Sequence, residues 1–184
     1  VQAEAAQLRL EVADKAGVRS EALAVRASVQ ALLRSVRRIE RVSEDLLHDT
    51  LPLVQHQARK SGVDIVFDTR ATTRVRINRD ELQQVLVNLI VNALHAMPDG
   101  GTLTLSTRDS VDPAGARIDV RDTGHGIAPE HIGRVFDPFF TTKRSEGTGL
   151  GLSVSLGLIE RYGGTITVTS TPGTNSIFVL THEA

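Results

Sequence analysis

Cysteine and tryptophan are absent from the 184 residues, and tyrosine and methionine occur once each. Without cysteine there are no disulfides and no thiolate metal sites, and a reducing compartment is the natural setting. Aromatic residues make up only 3% of the chain, too few to stack a run of bases, which argues against single-stranded nucleic acid as a partner. Charge of one sign is also lacking. The formal net charge is -1, so no overall field draws the chain to a polyanion or an anionic membrane. No long apolar run is present. The most apolar stretch, VLVNLIVNAL at 85–94, contains two asparagines and falls far short of the ~20 residues that a membrane helix needs. No basic-then-apolar leader opens the sequence. These absences predict a cytoplasmic protein, any membrane attachment being left to a segment upstream of Val1.

What is present is the balance of an ordinary globular protein, 40% hydrophobic and 23% charged, with length for one medium domain and an appendage. The texture changes near residue 60. Upstream, Gly17 and Pro52 are the only glycine and proline, among many Ala, Leu, Arg and Glu residues, which favour helix. Ala22, Val25, Val29, Leu32, Val36 and Ile39 follow one another at alternating steps of three and four. Such a seam predicts a coiled coil or helical bundle, or an amphipathic helix packed on its own domain. A helical hairpin with arms at 2–16 and at 20–47 or beyond, turning at Gly17, fits best. It predicts a homodimer through residues 20–47, because a hairpin cannot bury both its faces alone. The expected division is a helical dimerisation segment over 1–60 and a second domain over 61–184.

Downstream, strand-like runs at 64–68, 74–77, 102–108, 116–122, 164–170 and 176–180 alternate with helical patterns at 79–97, 129–134 and 149–162. Turn signals separate them, among them Pro98-Asp99-Gly100-Gly101 and Thr171-Pro172-Gly173. The pattern predicts an α/β fold, a two-layer sandwich of a mixed sheet packed on helices.

Four segments carry candidate chemistry. In DELQQVLVNLIVNALHAMPDGG, which Asp80 is placed to cap, Asn88, Asn92 and His95 share one helical stripe. A single such Asn reads most simply as a hydrogen-bonded core residue. Two with a His in line point to a polar ligand, and amide oxygens suit Mg²⁺. ARIDVRDTGHGI runs a strand into Asp122-Thr123-Gly124-His125-Gly126-Ile127. It is either a tight turn or a carboxylate set beside backbone that can approach a flat ligand closely. VFDPFFTTK, at 135–143, sets Phe139 and Phe140 in a loop ending in two hydroxyls and a lysine, which suggests a lid or a partner surface. EGTGLGLSVSLGLIERYGG puts Gly147, Gly149 and Gly151 directly before an amphipathic helix. It is a flexible loop or an anion site of free amides at a helix N-terminus. It matches neither the P-loop pattern nor the dinucleotide fingerprint.

In this order the four segments resemble the asparagine, first glycine, phenylalanine and second glycine boxes of the Bergerat-type ATPase superfamily of DNA gyrase, Hsp90, MutL and the histidine kinases. The resemblance covers roughly residues 61–184, and DPFFTTK followed by EGTGLGL is similar to sensor histidine kinases in particular. It implies a Bergerat fold with ATP and Mg²⁺ as cofactors. It also implies transfer of the γ-phosphoryl to a histidine on a dimerisation helix and then to an aspartate of a response-regulator receiver domain. By the same resemblance Asp122 accepts the adenine amine, with Gly124, Gly126 and Ile127 shaping the base pocket beside Ala96. Asn92, assisted by Asn88, holds Mg²⁺ against the phosphates. His95 stands where many kinases carry a phosphate-contacting Lys or Arg. Lys143, with Phe139 and Thr142 of the lid and Gly147, Thr148, Gly149, Leu150, Gly151 and Leu152, surrounds the phosphates. Thr174 or Ser176 stands near adenine.

Relatives that hydrolyse ATP carry a Glu where this chain has Asn88, and a neutral amide cannot take a proton from water. Asn88 and Lys143 are therefore expected to serve phosphoryl transfer rather than hydrolysis, through positioning and charge neutralisation. The H-E-x-x-x-P phosphoacceptor motif of the kinases is absent. LHDTLP at 47–52 is similar to a second subgroup's acceptor, but His48 precedes Asn88 by too few residues to admit the second hairpin helix, so it reads as a surface residue of the lead-in helix. The alternatives are a non-catalytic ATP-binding and dimerisation module, or a hydrolysing ATPase of the same superfamily.

Overall fold

The structure, a computed structural model, describes residues 39–41, 44–111, 114–142 and 147–183. Its elements are β1 (Ile39–Arg41), α1 (Glu44–Lys60), β2 (Val63–Thr69), β3 (Arg74–Arg76), α2 (Arg79–Ala96), β4 (Gly101–Val111), β5 (Ala114–Asp122), α3 (Pro129–Ile132), α4 (Gly151–Glu160), β6 (Thr165–Thr171) and β7 (Asn175–Glu183). Every strand and helix expected downstream of residue 60 is present, with ends shifted by a few residues. Five strands form one mixed sheet in the order β2-β4-β5-β7-β6, with β2 parallel to β4 and all other neighbours antiparallel.

Two features differ from the sequence reading. A helix over 20–47 or beyond is not continuous, because Ile39–Arg41 pair antiparallel with Arg74–Arg76 and α1 begins at Glu44. The pairing partner lies 35 residues downstream, where local helix propensity has no say. The seam from Ala22 to Val36 and the turn at Gly17 lie outside the described residues. Asn78, and not Asp80, caps α2. Its side chain accepts from the amides of Asp80 (2.9 Å) and Glu81 (3.3 Å), leaving Asp80 and Glu81 in the first turn, where their charge complements the helix dipole.

The core lies between the sheet and the helices. From α2 it takes Leu82, Val85, Leu86, Leu89, Ile90, Ala93 and Leu94, the 3.6-period stripe opposite the Asn88–Asn92–His95 stripe. From the sheet come Leu103 and Leu105 of β4, Ile118 and Val120 of β5, and Phe178 and Leu180 of β7. Helix α1 shares this core through Leu46, Leu47, Val54 and Ala58, and the compact unit it belongs to spans Ile39–Ala184. Across the helix interface Asp49 of α1 pairs with Arg79 of α2. At the same end α2 is tied to the residues that follow α4, where Glu81 of its first turn accepts from Tyr162 (2.5 Å) and Arg161 (3.1 Å). Among the described residues no helix is long and apolar enough to cross a membrane.

Candidate functional site

The period of β5 explains the site. Ala116, Ile118 and Val120 point to the helices, and the next position of that parity is Asp122. A carboxylate therefore occupies a core position at the strand end, 1% exposed, opposite Leu103 of β4 and Ser176 of β7. Two amides, Gly124 N (2.9 Å) and Ser176 N (3.3 Å), donate to its Oδ1. Both bonds fall on one oxygen of a residue that lines a cavity. Burial raises the Asp122 carboxyl pKa, while the two amides and His125 pull it the other way without cancelling the effect.

The cavity beside Asp122 has a volume of about 370 Å³, within the usual range for a small-molecule site. One wall is the polar stripe of α2, with Asn88, Asn92, His95 and Ala96. Opposite lie Gly126 and Ile127 of the loop after β5, and Ser176 and Phe178 of β7. Thr141, Thr142, Gly147, Thr148, Gly149, Gly151 and Leu152 close the remaining side.

The loop after β5 is fixed through both backbone groups of His125. The His125 amide donates to the Ala96 carbonyl (3.0 Å) at the end of α2, and the Gly173 amide to the His125 carbonyl (2.7 Å). Gly124 passes so close to Ala96 that a Cβ there would overlap its carbonyl oxygen, which accounts for the first glycine of the motif. On the side of the 147–151 loop, Asn88 Nδ2 donates to Ser155 Oγ of α4 (2.7 Å). Its Oδ1 sits against the α-carbon of Gly151, where any side chain would displace it. Asn92 is half-buried and its side chain makes no hydrogen bond among the described residues. Its amide oxygen is the type of ligand that Mg²⁺ accepts. Helix α4 begins without a side-chain cap on Leu150, so the amides of its first turn have no side-chain acceptor.

Most of the expected site residues line this one cavity. Gly124 and Leu150 stand behind it, shaping the two loops. Phe139 points away, 73% exposed, with φ at 65°, and it is the one non-glycine residue described at positive φ. Thr174 is exposed in the turn after β6, whereas Ser176, 2% exposed, is in the wall. Lys143 lies outside the described residues. His95 lines the cavity and meets Gln57 of α1, Nε2 to Nε2 at 3.1 Å. His48 is exposed on α1, its ring stacked on Phe67 at 4.8 Å. Among the described residues no cluster of three His, Asp or Glu side chains could hold a metal.

Three neighbours, His131, Arg134 and Ser170, are not singled out by the sequence reading. His131 and Phe140 line the cavity and meet edge to face, with centroids 5.4 Å apart, and Arg134 lies over the same Phe140 ring at 4.8 Å. This cluster holds one of the two adjacent phenylalanines inward. Ser170 is the third. Its hydroxyl accepts from the Ile127 amide (2.8 Å), and only the strand register brings the two together.

A fold of this kind, with this cavity, has known relatives. Residues 77–184 match the family described as histidine kinase-, DNA gyrase B- and HSP90-like ATPases. The catalytic domain of the histidine kinase ThkA, in a nucleotide-free form, matches with a TM-score of 0.69 at 31% identity, over 78% of this chain and 93% of that one. Full-length ShkA in complex with AMPPNP matches with a TM-score of 0.66 at 26% identity, over 90% and 39%. The chain belongs to this ATPase family. Within it, the chain is of the histidine kinase type: the sensor histidine kinase ZraS of Salmonella typhi is 39% identical over 137 residues, 74% of this chain. The chain spans 29% of the length of that relative.

Proposed function

We propose that this chain is the ATP-binding catalytic part of a two-component sensor histidine kinase. It would transfer the γ-phosphoryl of ATP to a histidine on a dimerisation helix, from which an aspartate of a response-regulator receiver domain takes it. The observation that carries this reading is Asp122, a buried carboxylate set in the apolar row of β5 that lines the same cavity as Asn92. A ligand with a donor group in its flat, apolar part and oxygens at its other end satisfies both.

In this reading the amine of adenine donates to Asp122 between Ile127 and Ala96, and the phosphates lie toward Gly147–Gly151 and the first turn of α4. Asn92, assisted by Asn88, would hold Mg²⁺, and Lys143, Phe139 and Thr142 belong to the segment that would cover the phosphates. Bound Mg²⁺ neutralises charge on the phosphate oxygens. Asn88 donates one amide proton to Ser155 and has no carboxylate to activate water, which favours transfer over hydrolysis. The division of labour sets residues 1–60 as the dimerising and lead-in segment and the remainder as the ATP-binding domain. The natural setting is the cytoplasmic side of a sensor.

Calorimetric titration with AMPPNP and Mg²⁺ tests this reading. One-site binding that needs Asp122 and Asn92 is expected, and heat unchanged in Asp122→Asn would remove the carboxylate from the site.

A further inference from the structure

Asp122 of β5 stands opposite Ser176 of β7, which stands opposite Ser170 of β6. Directly opposed residues of antiparallel strands project to the same face, so one rung carries a carboxylate and two hydroxyls side by side. Ser170 is outside the cavity wall, yet its hydroxyl is fully used. It accepts from the Ile127 amide at 2.8 Å, donates to the Asn175 carbonyl at 2.7 Å, and lies 3.1 Å from Ser176 Oγ. A hydroxyl has one proton and two lone pairs. A carbonyl can only accept, so the single Ser170 proton is committed to Asn175. Ser176 is then the donor in the remaining contact. Its proton is turned away from the cavity, and the cavity meets lone pairs only. Beside it the ionised Asp122 can likewise only accept.

We infer that Ser170 is a positioning residue that sets base specificity: by drawing the Ser176 proton out of the cavity it makes the wall beside Asp122 acceptor-only, selecting a 6-amino purine nucleotide against a 6-oxo purine. This rests on the nucleotide reading of the cavity. A 6-amino group brings two N–H protons to that wall, whereas a 6-oxo group brings a further acceptor that nothing there can satisfy. Removing the Ser170 oxygen frees the Ser176 hydroxyl to turn its proton inward and donate to a 6-oxo group.

The test is the ratio of ATP to ITP affinity, each with Mg²⁺, measured by calorimetry on the whole chain. The wild type prefers ATP, and Ser170→Ala narrows the ratio about tenfold, the size of one mispaired buried hydrogen bond. Ser170→Thr, which keeps the oxygen, restores the ratio. Adding Ser170→Ala to Ser176→Ala changes the ratio no further. If Ser170→Ala weakens both nucleotides by the same factor, Ser170 merely anchors the Ile127 loop and the inference is overturned while the nucleotide reading stands. If the wild type binds neither nucleotide, both fall together.

Discussion

Asn88 and Ser155, 67 residues apart in sequence, are joined by a 2.7 Å hydrogen bond that fastens α2 to the first turns of α4. Ser155 is buried. Ser155→Ala leaves the Asn88 amide without this partner, and the expected cost is about 1–3 kcal/mol of stability. Because the same bond holds Asn88 against Gly151, nucleotide affinity is expected to fall as well. Denaturant unfolding with and without AMPPNP checks both. A variant as stable as the wild type would show the bond to be incidental.

Asp122 couples pH, stability and binding. Burial raises its pKa, so the folded chain holds this proton more tightly than the unfolded one. The contribution favours folding below the ordinary carboxylate pKa and is lost as pH rises through the raised value. At neutral pH the ionised carboxylate is therefore a cost to the free protein. Asp122→Asn is expected to melt no lower than the wild type at neutral pH, with any advantage shrinking in acid, while nucleotide binding weakens by roughly 1–3 kcal/mol. Melting curves across pH, without ligand, decide the first part; a variant clearly less stable at neutral pH would contradict it.

The loop from Asp137 to Thr142 and from Gly147 onward covers one side of the cavity, and Phe139 within it sits at positive φ. A non-glycine residue there costs on the order of 1 kcal/mol. Amide exchange at Phe139–Thr142 is expected to slow on addition of AMPPNP and Mg²⁺. Exchange that stays the same would mean that this loop does not respond to phosphate.

The seam from Ala22 to Val36 predicts self-association separable from nucleotide binding. Polar substitution of Val29 and Leu32 together is expected to yield monomers in sedimentation that bind AMPPNP with unchanged affinity. Loss of binding along with association would show that the two parts are not independent.

How much of this was legible in the sequence depends on range. The strands of the sheet alternate with period two and α2 has a clean 3.6-residue stripe, so each is dictated by residues near at hand. Asp122 is legible as a carboxylate at the end of a strand-like run, directly before a G-x-G pattern. β1 did not stand out: its three residues, IER, become a strand only by meeting Arg74–Arg76. The choice between Thr174 and Ser176 turned on where β7 begins, and Ser170 was invisible because its meaning lies in register with two other strands. Asp80 drew attention as a cap because of its own chemistry, whereas the turn geometry gave that place to Asn78.

Phosphoryl transfer in trans tests the proposed function most directly. The chain is incubated with γ-labelled ATP, Mg²⁺ and a separately prepared dimerisation hairpin bearing a phosphoacceptor histidine from a related kinase. Acid-labile label is expected on the hairpin, absent when Asn92 or Asp122 is replaced, with little free phosphate released by the chain alone. Label on the chain itself that disappears in His48→Gln, or steady release of phosphate without a hairpin, would contradict it.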